Sequence, residues 1–212
     1  LARSFPQCLV IPSRQNTQYE WLKSLPKIDY YLPIAELARF FRRRNEDFPK
    51  HQGYLLADPQ RIALWRKQLD DFGEGLKIGI SWRGGTERTR QAIRSLQITD
   101  LEPFLLLPGV RFVNLQYGKV KNDLQIAKDS MGIDIVNWPE AITDLDEFAA
   151  LICALDLVIS VCNTTVHYAG GLNRPAWVMT PKIPEWRYGL TGSTMIWYPS
   201  ARMFRQAEHF DW

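Results

Sequence analysis

The stretch Asp156–Pro175, DLVISVCNTTVHYAGGLNRP, constrains the fold more than any other part of this 212-residue chain. Leu157, Val158, Ile159 and Val161 form a short, β-branched apolar run, the pattern of a parallel strand covered on both faces. Cys162-Asn163-Thr164-Thr165 breaks that run, and Asn163 or Thr164 can cap a helix that starts near Thr165. A helix start just past a strand's carboxyl end presents unpaired backbone N–H groups, a geometry suited to phosphate. The same polar turn also suits a helix whose cap binds nothing but the helix itself. Ala169-Gly170-Gly171 follows His167. Glycine is unfavourable in a helix by roughly 1 kcal/mol, so two in succession indicate close packing on the sheet or a helix near its end. Asn173 and Pro175 then stop it.

From Leu76 onward the pattern alternates regularly. Strands are expected at Lys77–Trp82, Arg111–Gln116, Asp134–Asn137, Leu157–Val161 and Ala176–Met179. Between them, helices are expected at Thr99–Leu107, with Thr99 and Glu102 as a capping box, at Lys121–Met131, and at Asp144–Leu155, with Asp144 and Glu147 at its start. Strands alternating with helices imply an α/β fold with a parallel sheet and right-handed crossovers. Ligands of such sheets lie beyond the carboxyl ends of the strands. That rule gathers the loops Arg83–Thr86, Gln116–Lys119, Cys162–His167 and Thr180–Arg187 into one surface, with Arg83, Lys119 and Arg187 as candidate cations. Upstream, DPQRIALWRKQLDD reads as an amphipathic helix with Asp58 as cap, Pro59 in its first turn and Ile62, Leu64, Trp65 and Leu69 on one face. Gly73 and Gly75 close it and make a candidate hinge. In residues 1–50 two strand-like segments, Gln7–Ile11 and Ile28–Leu32, flank a helix-like stretch near Asn16–Ser24. Two strands are too few to stand alone.

Composition narrows the function classes. A net charge of +3 and a 46% hydrophobic share describe a globular chain with no electrostatic demand for nucleic acid. Two local arginine clusters, Arg39, Arg42, Arg43 and Arg44, and Arg83, Arg88, Arg90 and Arg94, read as solvated faces. Cys8, Cys153 and Cys162 are odd in number and far apart, which suggests neither a disulfide framework nor a zinc site and fits a reducing, cytoplasmic compartment. His51, His167 and His209 lack metal-ligand spacing, so no metal is expected. No apolar run approaches the roughly 18 residues of a membrane span, and the first residues show no signal-peptide pattern.

The segments GISWRGGT, IRSLQITDLEPFL, PGVRFVNLQYG, DLVISVCNTTVHYAGGLNRPAWVM, PEWRYG and WYPSARMFRQ, with the terminal DW, follow one another in order. This succession resembles the carboxyl-terminal half of bacterial GT-B glycosyltransferases associated with tetratricopeptide repeats, which are related to heptosyltransferases and, more distantly, to O-linked N-acetylglucosamine transferases. The resemblance implies a Rossmann-like domain over 76–212 that binds a nucleoside-diphosphate sugar, an interdomain helix and hinge over 54–75, and in 1–53 a truncated remnant of the amino-terminal, acceptor-side domain. It implies diphosphate contacts from Arg83, Gly84, Gly85, Gln116, Lys119, Asn163, Thr164, Thr165 and His167, with Trp186 and Arg187 at the rim and no metal or other cofactor. Cys162 and Asn163 stand where the family often has an acid and a hydroxyl, and Thr164 stands where it has glycine. The family's WYPS segment helps return a last helix toward the amino-terminal domain. The general base and the acceptor, a protein or a glycan, are expected to belong to a missing amino-terminal domain or an oligomer contact, so no catalytic residue is named. A non-catalytic nucleotide-sugar binding module satisfies the same residues.

Overall fold

The computed structural model describes residues 1–11, 19–209 and 212. The chain divides into two units, Leu1–Lys50 and His51–Trp212. Among its described residues the first holds one short helix, α1 (Leu37–Phe41), and 3-10 turns at Glu20–Ser24, Ile34–Glu36 and Asn45–Asp47. The expected strands at Gln7–Ile11 and Ile28–Leu32 do not form, and Asn16–Gln18 of the expected helix-like stretch lie outside the described residues. The physical reason is burial. No described side chain of this unit is buried, and a strand without a partner or a covered face is not stable.

The second unit opens with α2 (Pro59–Asp71), where the Asp58 carboxylate accepts from the N–H groups of Gln60 at 2.9 Å and Arg61 at 3.3 Å. Trp65 and Leu69 are buried, whereas Leu64, expected on the same face, is 63% exposed. The glycine turn that follows is tied down: the ammonium of the buried Lys77 donates to the carbonyls of Gly73 and Gly75. Then come β1 (Leu76–Ser81), α3 (Glu102–Leu105), β2 (Val110–Asn114), α4 (Lys121–Met131), α5 (Pro139–Thr143), α6 (Leu145–Ala154), β3 (Leu157–Val161), α7 (Thr164–Gly171), β4 (Ala176–Thr180), β5 (Thr194–Met195) and β6 (Tyr198–Arg205). Asp144 caps α6 as its sequence predicts, accepting from the N–H groups of Asp146 and Glu147. The helix expected at Thr99–Leu107 is instead a 3-10 turn, Ile98–Leu101, running into α3. Its cap is Gln97, two residues before Thr99, with the Asp100 carboxylate accepting from Gln97 N–H at 2.7 Å.

The sheet has the order β2-β1-β3-β4-β6-β5, parallel throughout except for β5 against β6. Central registers pair Ile80 with Asn114 on one side and with Ile159 on the other. Asp134–Asn137 does not become a strand; it makes one parallel bridge, Val136 with Val113. The strands feed two cores, β2 and β3 supplying both by alternation, β1 the second and β6 the first. One gathers Trp65, Leu69, Phe148, Leu151, Val166, Val178 and Met203. The other gathers Ile78, Ile80, Trp82, Leu101, Phe112 and Val161. The carboxyl-terminal segment departs from expectation: WYPSARMFR forms an edge region of the sheet, with β6 beside β4, and no last helix occurs among the described residues. From Ala201 its burial alternates, Ala201 and Met203 inward and Arg202 and Phe204 outward, which is the period of a strand, while Tyr198 is buried out of that phase.

Candidate functional site

Strand order reverses between β1 and β3, because β2 lies on one side of β1 and every later strand lies on the other. In open parallel sheets the crevice beyond the carboxyl ends of two such strands is the usual binding place. Here it is bounded by the Ser81–Gly85 turn and by Cys162–Thr165 at the start of α7.

A buried polar network holds these loops. The carboxamide oxygen of Gln116 accepts from Ser81 Oγ at 3.0 Å, Trp82 N–H at 3.1 Å and Arg83 N–H at 2.7 Å. The Asn163 carboxamide donates to Ser81 Oγ at 2.7 Å and to the Arg83 carbonyl at 3.0 Å, while its oxygen accepts from Thr165 N–H at 2.9 Å. Asn163 is thus both the cap of α7 and the link from β3 to the β1 turn. Gln116 and Asn163 spend their polar atoms on the protein, so their part in the site is to shape it. Gly84 and Gly85 do the same by being small. A Cβ on Gly84 would come 2.7 Å from the Cys162 carbonyl, and one on Gly85, whose φ is +80°, would meet the Arg94 guanidinium.

The helix start itself is accessible. Thr164 is exposed and helical with no positive φ, so the β-branched residue fits where the resembling family has glycine. Thr165 is buried with its N–H taken by Asn163, whereas the N–H groups of Thr164 and Val166 have no side-chain acceptor among the described residues. His167 sits in the next turn, partly buried. Burial, reinforced by the Arg187 guanidinium, pushes its pKa down to about 4, so the ring is neutral at pH 7. Burial likewise pushes the Cys162 thiol up to about 12, which makes it a packing residue and not a nucleophile.

The cations divide. Arg83 is engaged, pairing with the Asp123 carboxylate and donating to the Lys119 carbonyl at 2.6 Å, so it braces the β2–α4 loop. Lys119 is exposed and, among the described residues, has no acidic partner in ion-pair reach. Arg94, grouped by sequence with solvated arginines, is buried and paired with Glu185. Arg187 takes the other oxygen of Glu185 at 2.5 Å and lies over the exposed ring of Trp186, 5.3 Å from its centroid. Trp186 in turn packs edge-on against Trp197 at 5.7 Å. Arg88 and Arg90 are exposed, as a solvated face requires.

Two concavities adjoin this junction. A cleft of about 210 Å³ is walled by Leu115, Tyr117, Ile142, Phe148, Thr164 and Tyr168, an apolar, ring-lined space opening at the α7 start. A wider groove of about 1040 Å³, lined by Gln116, Lys119, Lys121, Lys128 and Asn137 among others, runs between α4 and α5 and shares Ile142 with the cleft. Sequence reasoning missed the cleft, because α5, which carries Ile142, is not among the expected helices, and Phe148 belongs to a helix read only for its place in the alternating pattern. Among the described residues no three His, Cys, Asp or Glu side chains converge on a point, and no helix is long and apolar enough to cross a membrane.

No family model matches the chain. It is 33% identical over 222 aligned positions to Protein FlbA of Caulobacter vibrioides, which takes in 99% of this chain and 36% of that protein. The chain therefore spans about a third of the length of the curated relative it matches. Among solved structures, ADP-heptose LPS heptosyltransferase II of E. coli superposes with a TM-score of 0.55 at 19% identity, over 81% of this chain and 52% of that one. The glycosyl transferase family 9 protein of Veillonella parvula superposes with a TM-score of 0.53 at 15% identity, over 74% of this chain and 44% of that one. At these identities the likeness is one of fold: a mixed α/β unit on a six-stranded, mostly parallel sheet, similar to the domains of GT-B glycosyltransferases.

Proposed function

We propose that this chain is the donor-binding side of a GT-B glycosyltransferase of heptosyltransferase type, a cytoplasmic relative of the tetratricopeptide-associated and O-linked N-acetylglucosamine transferases. It holds a nucleoside-diphosphate sugar at the β1–β3 switch point. The observation that carries this reading is the juxtaposition of an accessible helix start at Thr164 with a ring-lined cleft that shares Thr164 and Tyr168. The first suits a diphosphate and the second a planar base. In this reading charge on the leaving diphosphate is offset by the α7 N–H groups, by the neutral N–H of His167 and by Lys119, without a metal. Trp186 and Arg187 stand at the rim.

A second reading, a binding module without turnover, is favoured by one specific observation. Glu185, the carboxylate of the four loops, is committed to Arg94 and Arg187, and Asp123 in the first turn of α4 is committed to Arg83, which leaves neither as a general base. Catalysis therefore requires a base from elsewhere, together with an acceptor. Calorimetric titration with UDP, GDP, ADP and CMP, their common sugar conjugates and inorganic phosphate tests the site. Saturable preference for one nucleotide is expected, and no binding across the panel would overturn both readings. Release of nucleoside diphosphate from the preferred conjugate separates enzyme from module.

A further inference from the structure

The ring of His167 is held through its Nδ1. Its Nδ1 lies 3.1 Å from the Tyr198 hydroxyl, and that hydroxyl lies 3.1 Å from the hydroxyl of Tyr54. Among the described residues no hydrogen-bond partner is found for Nε2. The arrangement is built rather than incidental. Tyr198 is buried, and its ring sits against α7 at Gly170, where a Cβ would strike it. Tyr54 stacks on Tyr198 at 6.3 Å and is anchored through its own N–H, which donates to the Gly171 carbonyl at 2.7 Å. The residue before Tyr198 is fixed as well. His51 accepts from Gly53 N–H at Nδ1, at 3.0 Å, and therefore carries its hydrogen on Nε2, which donates to the Trp197 carbonyl at 2.9 Å.

We propose that Tyr198, backed by Tyr54, is the positioning residue of His167: its hydroxyl donates to Nδ1 and so locks the imidazole as the Nε2–H tautomer, aiming a neutral donor at an anionic ligand. The ligand, the diphosphate of a nucleotide sugar, rests on the reading above. A neutral imidazole has one N–H and one lone pair, so whichever nitrogen accepts decides which one donates. Phenol is the better donor and imidazole nitrogen the better acceptor, which orders the chain as Tyr54 O–H to Tyr198 O–H to Nδ1. The reverse order would turn a bare lone pair on Nε2 toward negative oxygens. Burial raises the Tyr198 phenol above its ordinary pKa, which keeps the donated hydrogen in place. Tyr198 lies 31 residues beyond His167 and on a different element, so no local motif announces the pair.

Ring-nitrogen NMR of the full chain reads the tautomer directly, alongside calorimetry with UDP, ADP, GDP and CMP. In the wild type, Nε2 is expected to be protonated and Nδ1 bare. Tyr198→Phe keeps the ring against Gly170 and removes only the hydroxyl; it is expected to yield a mixture of tautomers and about fivefold weaker nucleotide binding, the loss of one positioned hydrogen bond. Tyr54→Phe, a milder change should Tyr198→Phe fail to fold, is expected to move the Nδ1 resonance the same way by less. A proton on Nδ1 in the wild type overturns the proposal, and so does a tautomer unmoved by both variants. The expected tautomer in a wild type that binds no nucleotide supports the positioning role and sinks the donor-site reading instead.

Discussion

Glutamine 116 illustrates how single residues shape this site. Its one carboxamide oxygen takes donors from Ser81, Trp82 and Arg83, so the turn after β1 is set by a residue two positions beyond β2. His167 is the complementary case, a residue whose environment sets its charge. Its folded pKa, about 4, lies below the 6.5 of the free side chain, so the unfolded chain binds the proton first as pH falls. Stability is therefore highest above pH 6.5 and declines between that value and about 4. Between pH 7 and pH 5 the wild type is expected to lose about 1–2 kcal/mol more than His167→Gln, a range reduced for the part of the ring that faces water. Urea unfolding of both proteins at the two pH values checks this, and equal losses would show that the ring is not buried as described.

At the scale of elements, α7 does two jobs at its two ends. Its first turn opens on the crevice, and its last turn packs on β6 and the connector through Gly170 and Gly171, whose missing Cβ atoms leave room for Tyr198 and Leu55. The two effects of a Gly170→Ala change oppose each other. Helix propensity alone would stabilise by about 1 kcal/mol, whereas forcing a methyl into the Tyr198 ring costs about 1–3 kcal/mol. The close approach wins, and the net expectation is a lower unfolding midpoint together with weaker nucleotide binding, because the displaced ring no longer orients His167. A raised midpoint with unchanged binding would show that the ring and helix are not in contact. Much of the element pattern was legible beforehand. Lys121–Met131 and Leu157–Val161 match their expected bounds, and Asp58 and Asp144 cap as read, because caps and periodicity act over one or two turns. The 3-10 start at Ile98 and the single bridge of Asp134–Asn137 were not legible, since each depends on neighbours distant in sequence.

For the molecule as a whole, both hydrophobic cores are drawn entirely from residues between Ala57 and Met203, while no described residue of Leu1–Lys50 is buried. A fragment spanning 51–212 is accordingly expected to unfold in one cooperative transition by circular dichroism and by tryptophan fluorescence, with coincident midpoints. Non-coincident midpoints, or no transition, would show that the core is not self-sufficient. The sheet order matters at this scale too. It makes the β1–β3 gap a place where loops diverge from the sheet, and Ser81, Gln116 and Asn163 meet there.

What the chain's residues determined without help is the succession β1, β2, α4, α6, β3, α7 and β4, the caps at Asp58 and Asp144 and the polar turn after β3, all consequences of short-range sterics and hydrogen bonding. Tertiary structure alone decided which groups are spent and which remain available. Arg83 is neutralised by Asp123, 40 positions away, while Lys119 keeps its charge exposed. His167 receives its tautomer-setting partner from β6, and the arginine grouped by sequence with a solvated face, Arg94, lies buried against Glu185. Such pairings depend on how strands are ordered across the sheet, and strand order is settled by the packing of whole elements, which no local window of sequence contains.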